Sequence, residues 1–288
     1  MIQITDMRVH PGDSAFLIDD GKTALLYDSG FGFTGEKLAR KLRQHLGSRK
    51  LDYIVLTHSH YDHVYGSAYV AQAFPEVQVC AGEYAAKIFT KPGAKATMRE
   101  LDTKMARSCG VGSYPDLLDK LRVDIPLQDG QIINAGDMSF LCLNLMGHTK
   151  CSFSFFEQNS GLFLACESMG SYNGTDDVVP ECLVSSKMSL ESIEKMRKLP
   201  ITRILSPHYG VIEGEKVGWF ISRAKESLLS TVKMITDGLK NGESKEALAQ
   251  KYKDRFYHGY IKEVYPVDAM NLNTKIMIDL IEREYSEA

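Results

Sequence analysis

Leu56-Thr57-His58-Ser59-His60-Tyr61-Asp62-His63 is the stretch on which the reading of this chain turns. His58, His60, Asp62 and His63 place four metal-binding side chains within six positions, in a chain with 8 histidines among 288 residues. Isolated histidines pack in cores or sit in solvent, but such a cluster is the pattern of a metal site. Neutral imidazoles suit zinc, iron and related ions, and a carboxylate oxygen completes the donor set. If the segment is extended, side chains two apart share a face, and His58 and His60 would point the same way. A loop immediately after them can fold Asp62 and His63 towards a second ion.

Working outward, Tyr53-Ile54-Val55-Leu56 is a continuous apolar run, the mark of a strand covered on both faces. Upstream, Ala15-Phe16-Leu17-Ile18 and Thr23-Ala24-Leu25-Leu26-Tyr27 read as paired strands around the turn Asp19-Asp20-Gly21-Lys22. Leu38, Leu42 and Leu46 recur every four positions and predict a helix over 36–46 with one buried stripe. Downstream the pattern predicts a helix over 64–74 and a strand over 77–80. Residues 83–122 interrupt the alternation and read as a helical insertion. Strands are expected at 132–133 and 140–143, then a hairpin of 152–157 with 162–165, a helix at 190–199 and a strand at 203–206. From residue 215 onward the chain reads as helical, with Gly242 closing the first segment and shorter helices at 244–255 and 267–285. The expected class is α/β, sheets with helices on their outer faces. A catalytic domain over 1–214 would be followed by a helical extension over 215–288.

Further ligands are expected at strand ends, where α/β scaffolds carry chemistry. His148 sits in Gly147-His148-Thr149 after an apolar strand, and His208 in Ser206-Pro207-His208-Tyr209-Gly210 after Ile204-Leu205. Each, taken singly, reads equally as a solvated histidine. Glu167, in Leu164-Ala165-Cys166-Glu167-Ser168, is placed to supply a carboxylate between two cations, or is simply the solvated end of a strand.

Over residues 1–210 these features resemble the metallo-β-lactamase-fold hydrolase superfamily. They are the H-x-H-x-D-H signature at 58–63, the glycine-flanked His148, the Ser-Pro-His at 206–208 and the early Leu26-Tyr27-Asp28-Ser29-Gly30. The resemblance implies an αββα sandwich. It assigns one ion to His58, His60 and His148, and a second to Asp62, His63 and His208. Asp28 would orient a ligand rather than bind metal, although an aspartate before Ser-Gly is also an ordinary turn former. The sequence departs from the family at the bridging position, where Glu167 stands in place of an aspartate and is one methylene longer. Asp176 and Asp177 are substitutes in a polar loop nearby, and Cys166 is either a soft ligand or a small buried residue.

The cofactors so implied are two divalent metal ions, zinc first, with iron or manganese as alternatives. Water activated between them would attack an ester or thioester carbonyl, with Asp62 steering the proton. Tyr61, Tyr65, Tyr172 and Tyr209 flank the ligands, and one of them could donate a hydrogen bond to a developing oxyanion. Met98, Met105, Trp219, Phe220, Met234, Phe256 and Tyr257 either line an acyl cleft or pack helices. The alternatives are a lactonase on the same site, an iron-dependent oxidoreductase, and a metal-binding sensor with little turnover.

Composition narrows the partners. Hydrophobic residues make up 44% and charged residues 25%, ordinary for a soluble protein. A net charge of -3 gives no basic stripe for nucleic acid or an anionic membrane, which disfavours a nuclease. The expected partner is a small-molecule substrate, with no nucleic acid or membrane, and a homodimer is compatible. The first residues do not read as a signal peptide, and the 6 cysteines include no CxxC pair. A reduced, cytoplasmic setting is expected.

Overall fold

Short apolar runs set the strands, and leucine spacing sets the first helix. In the computed structural model, which describes residues 2–286, the chain forms two compact units, one of residues 1–144 and 153–160, the other of 145–152 and 161–288.

The first unit opens with β1 (Gln3–Asp6), β2 (Phe16–Asp19) and β3 (Ala24–Tyr27). Then come α1 (Gly35–Leu46), β4 (Tyr53–Leu56), the single turn α2 (Tyr61–Val64), α3 (Ser67–Ala73) and β5 (Gln78–Gly82). These lead to α4 (Glu83–Phe89), α5 (Pro92–Ser108), β6 (Ile125–Leu127), β7 (Ile132–Ala135), β8 (Met138–Asn144) and β9 (Phe153–Glu157). Strands β1 to β6 form one sheet in sequence order, antiparallel as far as β3 and parallel from β3 to β6. Every residue of β2 and β3 is buried, as continuous apolar runs covered on both faces require. Strands β7, β8 and β9 pair antiparallel in that order. On α1, Leu38, Ala39, Leu42 and Leu46 are buried, which is the stripe the spacing predicts. The helical insertion expected over 83–122 is present as α4, α5 and a 3-10 turn at Leu118–Lys120.

The second unit holds β10 (Leu162–Leu164), the hairpin β11 (Ser171–Tyr172) and β12 (Val178–Val179), and α6 (Ser186–Arg197). It continues through β13 (Arg203–Ser206), β14 (Gly210–Glu213), α7 (Glu215–Lys240), α8 (Lys245–Phe256), α9 (Ile261–Val264) and α10 (Val267–Tyr285). Strand β13 lies between β10, its parallel partner, and β14, its antiparallel one. The helices from 215 onward therefore share a unit with β10, β13 and β14, so compactness divides the chain elsewhere than at residue 214. Met98, Met105, Phe220 and Phe256 are buried, the packing reading, while Trp219 is half-buried with its ring 5.6 Å from that of Tyr172. No helix among the described residues is long and apolar enough to cross a membrane. All six cysteines are thiols, Cys109 exposed and the others buried.

Candidate metal centre

In the first unit, parallel pairing of β3 with β4 sets their C-terminal ends side by side, bringing Asp28 next to Thr57 and His58. The Asp28 N–H donates to the Val55 carbonyl at 2.9 Å, after which Asp28 turns with φ 53. Its buried carboxylate accepts from Thr57 N–H (2.8 Å), Ser14 Oγ (2.9 Å) and Thr57 Oγ1 (3.1 Å). It also faces His63 Nδ1 at 2.7 Å. The carboxylate oxygen can only accept, so His63 carries its proton on Nδ1 and its lone pair on Nε2. This carboxylate–histidine pairing is how proteins orient a metal-binding imidazole.

The loop itself is stapled in place. His63 C=O accepts from Ser29 N–H (2.7 Å) and Ser29 Oγ (2.9 Å), and Thr57 C=O accepts from Phe153 N–H (2.7 Å). Gly66 makes the close approach possible, since a Cβ there would lie 1.9 Å from Ser29 O. The chain bends at His58 and Ser59, His60 is extended, and the one-turn helix α2 then carries Asp62 and His63. The ring of His58 lies 4.5 Å from that of His60 and 4.1 Å from that of His63. The ligand atoms of His58 and His60, of His58 and His63, and of Asp62 and His63 fall within 4.8 Å of one another. His58 and His63 are buried, and His60 and Asp62 half-buried. All four residues of the motif, with Asp28 behind them, are thus gathered in one place.

The second unit uses the same device. Strands β10 and β13 are parallel, so the segments after them, carrying Glu167 and His208, leave the sheet at the same end. Glu167 begins a 3-10 turn (Glu167–Met169), and its Oε1 lies 3.3 Å from His208 Nε2. Both side chains are buried. Ligand atoms around a tetrahedral ion with bonds of about 2.0–2.1 Å stand about 3.4 Å apart, so this spacing fits two ligands of one cation.

His148 is tied to the same neighbourhood: its N–H donates to Ser168 Oγ (3.1 Å), next to Glu167. Its Nδ1 lies 2.7 Å from the Glu181 carbonyl oxygen. A carbonyl cannot donate, so here too Nδ1 bears the proton and Nε2 the lone pair. Gly147 is required just before it. Its φ is 139, and a Cβ would lie 2.1 Å from Ser189 Oγ, while its carbonyl accepts from Val184 and Ser185 N–H. Burial, and then the Glu167 carboxylate, push the Glu181 carboxyl up to about 7, while the Tyr265 hydroxyl, donating at 2.7 Å, holds it back.

The substitutes for Glu167 are committed elsewhere. Asp177 takes Arg223, Arg255 and Ser227, and Asp176 takes Asn173 and Thr175. Cys166 is fully buried, its thiol 3.7 Å from the Leu145 carbonyl. Among the flanking tyrosines, Tyr65 donates to Asp116 and Tyr172 to the Thr175 carbonyl. Tyr61 packs on Phe31 at 5.6 Å, and burial raises its phenol well above the ordinary range, so it stays a neutral donor. Ser14 in the first unit, and Ser168 and Glu181 in the second, support candidate ligands of their own unit but follow no motif, and only their place in the fold discloses them. Thr57 could have been suspected from its position directly before His58.

A family model described as the metallo-beta-lactamase superfamily matches residues 12–208. A ribonuclease Z from Bradyrhizobium sp. (strain ORS 278) is 30% identical over 148 residues, covering 51% of this chain and 44% of that protein. The chain thus spans under half the length of that curated relative. Among solved structures, an archaeal metallo-β-lactamase superfamily protein from Sulfolobus tokodaii aligns with a TM-score of 0.60 at 19% identity, covering 97% of this chain and 94% of that one. A metallo-β-lactamase family protein from Thermus thermophilus gives 0.62 at 18% identity, covering 99% and 93%. These likenesses establish the expected α/β fold.

Proposed function

We propose, from the premise that the chain belongs to the metallo-beta-lactamase superfamily of metal-dependent hydrolases, that it is a two-metal hydrolase of small carboxylic esters or thioesters. His58, His60 and His148 would hold one ion and Asp62, His63 and His208 the other, with Glu167 as a shared carboxylate. The observation that carries the reading is the fixed tautomer of a histidine in each unit. His63 and His148 both have Nδ1 committed to an oxygen at 2.7 Å, which leaves Nε2 to coordinate. The donor set of imidazoles and carboxylates suits zinc, with iron or manganese as alternatives.

Two divalent ions held there would supply an acidified water and a Lewis acid for the carbonyl oxygen. The chain's own residues supply the rest. Asp62, its Oδ2 3.9 Å from His63 Nε2 and its side chain 22% exposed, would accept a proton and return it to the leaving group. Tyr61, beside it in sequence, offers a hydroxyl that does not ionise near neutral pH. Asp28 and the Glu181 carbonyl keep two imidazoles from rotating.

A small substrate is favoured by the sequence, whose net charge of -3 comes without a run of Lys and Arg of the kind that binds a polyanion. The likeness to ribonuclease Z supports a second reading, phosphodiester hydrolysis on the same ligands. The test is a panel of p-nitrophenyl esters, acyl thioesters, lactones and bis(p-nitrophenyl) phosphate, run on the zinc- and iron-loaded protein with elemental analysis. Ester or thioester turnover that disappears in His60→Ala supports the proposal. Turnover of the phosphodiester alone would transfer the assignment to the second reading, and lactone turnover alone to a lactonase.

A further inference from the structure

We infer that the segment between α8 and α10 is a positioning element for the candidate metal ligands of the second unit, acting through the hydroxyls of Tyr260 and Tyr265. The inference rests on the proposed reading of His148 and His208 as ligands.

The Tyr260 hydroxyl donates to the backbone carbonyl of His208 at 2.7 Å. His208 has φ 61, the left-handed region that non-glycine residues rarely adopt, so its backbone must be held by its surroundings. The Tyr260 ring also lies 5.6 Å from that of Tyr209, fixing the following residue. Five positions later, the Tyr265 hydroxyl donates to Glu181 Oε2 at 2.7 Å. Glu181 is the residue whose carbonyl takes the His148 Nδ1 proton, and the Tyr265 ring stands edge-on to the His208 ring at 6.0 Å. One short stretch thus grips the backbone of one ligand and the orienting partner of another.

That stretch is itself anchored. Ile261 and Val264 of α9 are buried, and the Tyr257 hydroxyl donates to the Tyr265 carbonyl at 2.9 Å. Tyr252 on α8 adds a bond in the same place, donating to the Pro180 carbonyl beside Glu181 at 2.7 Å. Neither Tyr260 nor Tyr265 presents its hydroxyl as a ligand: each is spent on a protein oxygen, so the role is positioning.

The test is titration of the metal-free full-length chain with Co(II), reading affinity, stoichiometry and the visible ligand-field bands, for wild type, Tyr260→Phe, Tyr265→Phe and His208→Ala. Tyr285→Phe, at the C-terminal end of α10, is the matched control. Loss of a partner that orients a ligand weakens metal binding by about 10- to 100-fold. Tyr260→Phe and Tyr265→Phe should each lose about tenfold for one of two ions, keep the stoichiometry and shift the bands, while Tyr285→Phe matches wild type. A purely structural role would lower the melting temperature and leave the bands of the folded protein unmoved. If both variants bind Co(II) with wild-type affinity and spectrum while His208→Ala loses an ion, the positioning role is overturned. If His208→Ala binds as wild type does, it is the ligand assignment that falls.

Discussion

Replacing Asp28 by Asn keeps the shape of the side chain and tests the support of the candidate centre. Asn tolerates the φ of 53 found here, so the backbone need not move. In the native chain Oδ1 takes Thr57 N–H at 2.8 Å, and Oδ2 takes Ser14 Oγ at 2.9 Å and faces His63 Nδ1 at 2.7 Å. With the Asn carbonyl on the Oδ1 side, Thr57 is satisfied but an NH2 group faces His63. The imidazole must then accept on Nδ1 and carry its proton on Nε2, the atom proposed to bind metal. Flipping the amide restores His63 and leaves the buried Thr57 N–H against a donor, at a cost of about 1–3 kcal/mol. Either way the holo state loses, and the expected weakening of metal binding is about 10- to 100-fold, or about 1.4–2.7 kcal/mol. Competition with a chromophoric chelator measures it directly, and the circular dichroism of the metal-free variant should match wild type. Unchanged affinity in a folded Asp28→Asn would refute the orienting role.

Chelation should lower the melting temperature of the loaded protein. An ion present at 100 times its dissociation constant contributes about 2.7 kcal/mol, worth several degrees, and an unchanged melting curve after exhaustive chelation would count against a bound metal. Gly147→Ala should be severely destabilising, because its Cβ would meet Ser189 Oγ at 2.1 Å in a backbone with φ 139, and wild-type urea resistance in that variant would contradict the packing described. Asp102 gives a pH signature. Burial raises its carboxyl to about 6 from 3.8, so the native state holds the proton more tightly than the unfolded chain does. Its contribution is full below pH 3.8 and is lost as pH rises through about 6, by about 2–3 kcal/mol. Asp102→Asn cannot titrate, and its stability should lack that fall; parallel urea-derived stability curves between pH 4 and 6 would exclude it.

Much of this was legible because the signals are local. The apolar runs of β2, β3 and β4, the Leu38–Leu42–Leu46 stripe and the cluster at 58–63 each declare themselves within a few residues. His148 and His208 were accessible because both follow apolar strands, though only the fold supplies the tautomer of the one and the Glu167 contact of the other. What stayed hidden depends on partners far off in sequence. Tyr260 reaches His208 across 52 positions and Tyr265 reaches Glu181 across 84, and no periodicity encodes such pairs. Strand β1, with half-exposed or exposed residues throughout, carries no apolar pattern and is defined by its pairing with β2. The division into units is likewise a property of contacts, since no composition shift marks residue 144.

Asp28 and His208 are the non-glycine residues with positive φ among those described, and each lies in a different unit. A glycine at either would relax the backbone by about 1–2 kcal/mol, yet it would delete an orienting carboxylate in one case and a candidate ligand in the other. These positions are therefore where stability and chemistry pull in opposite directions. Under selection for folding alone both should drift towards glycine or asparagine, and under selection for metal-dependent turnover both should hold.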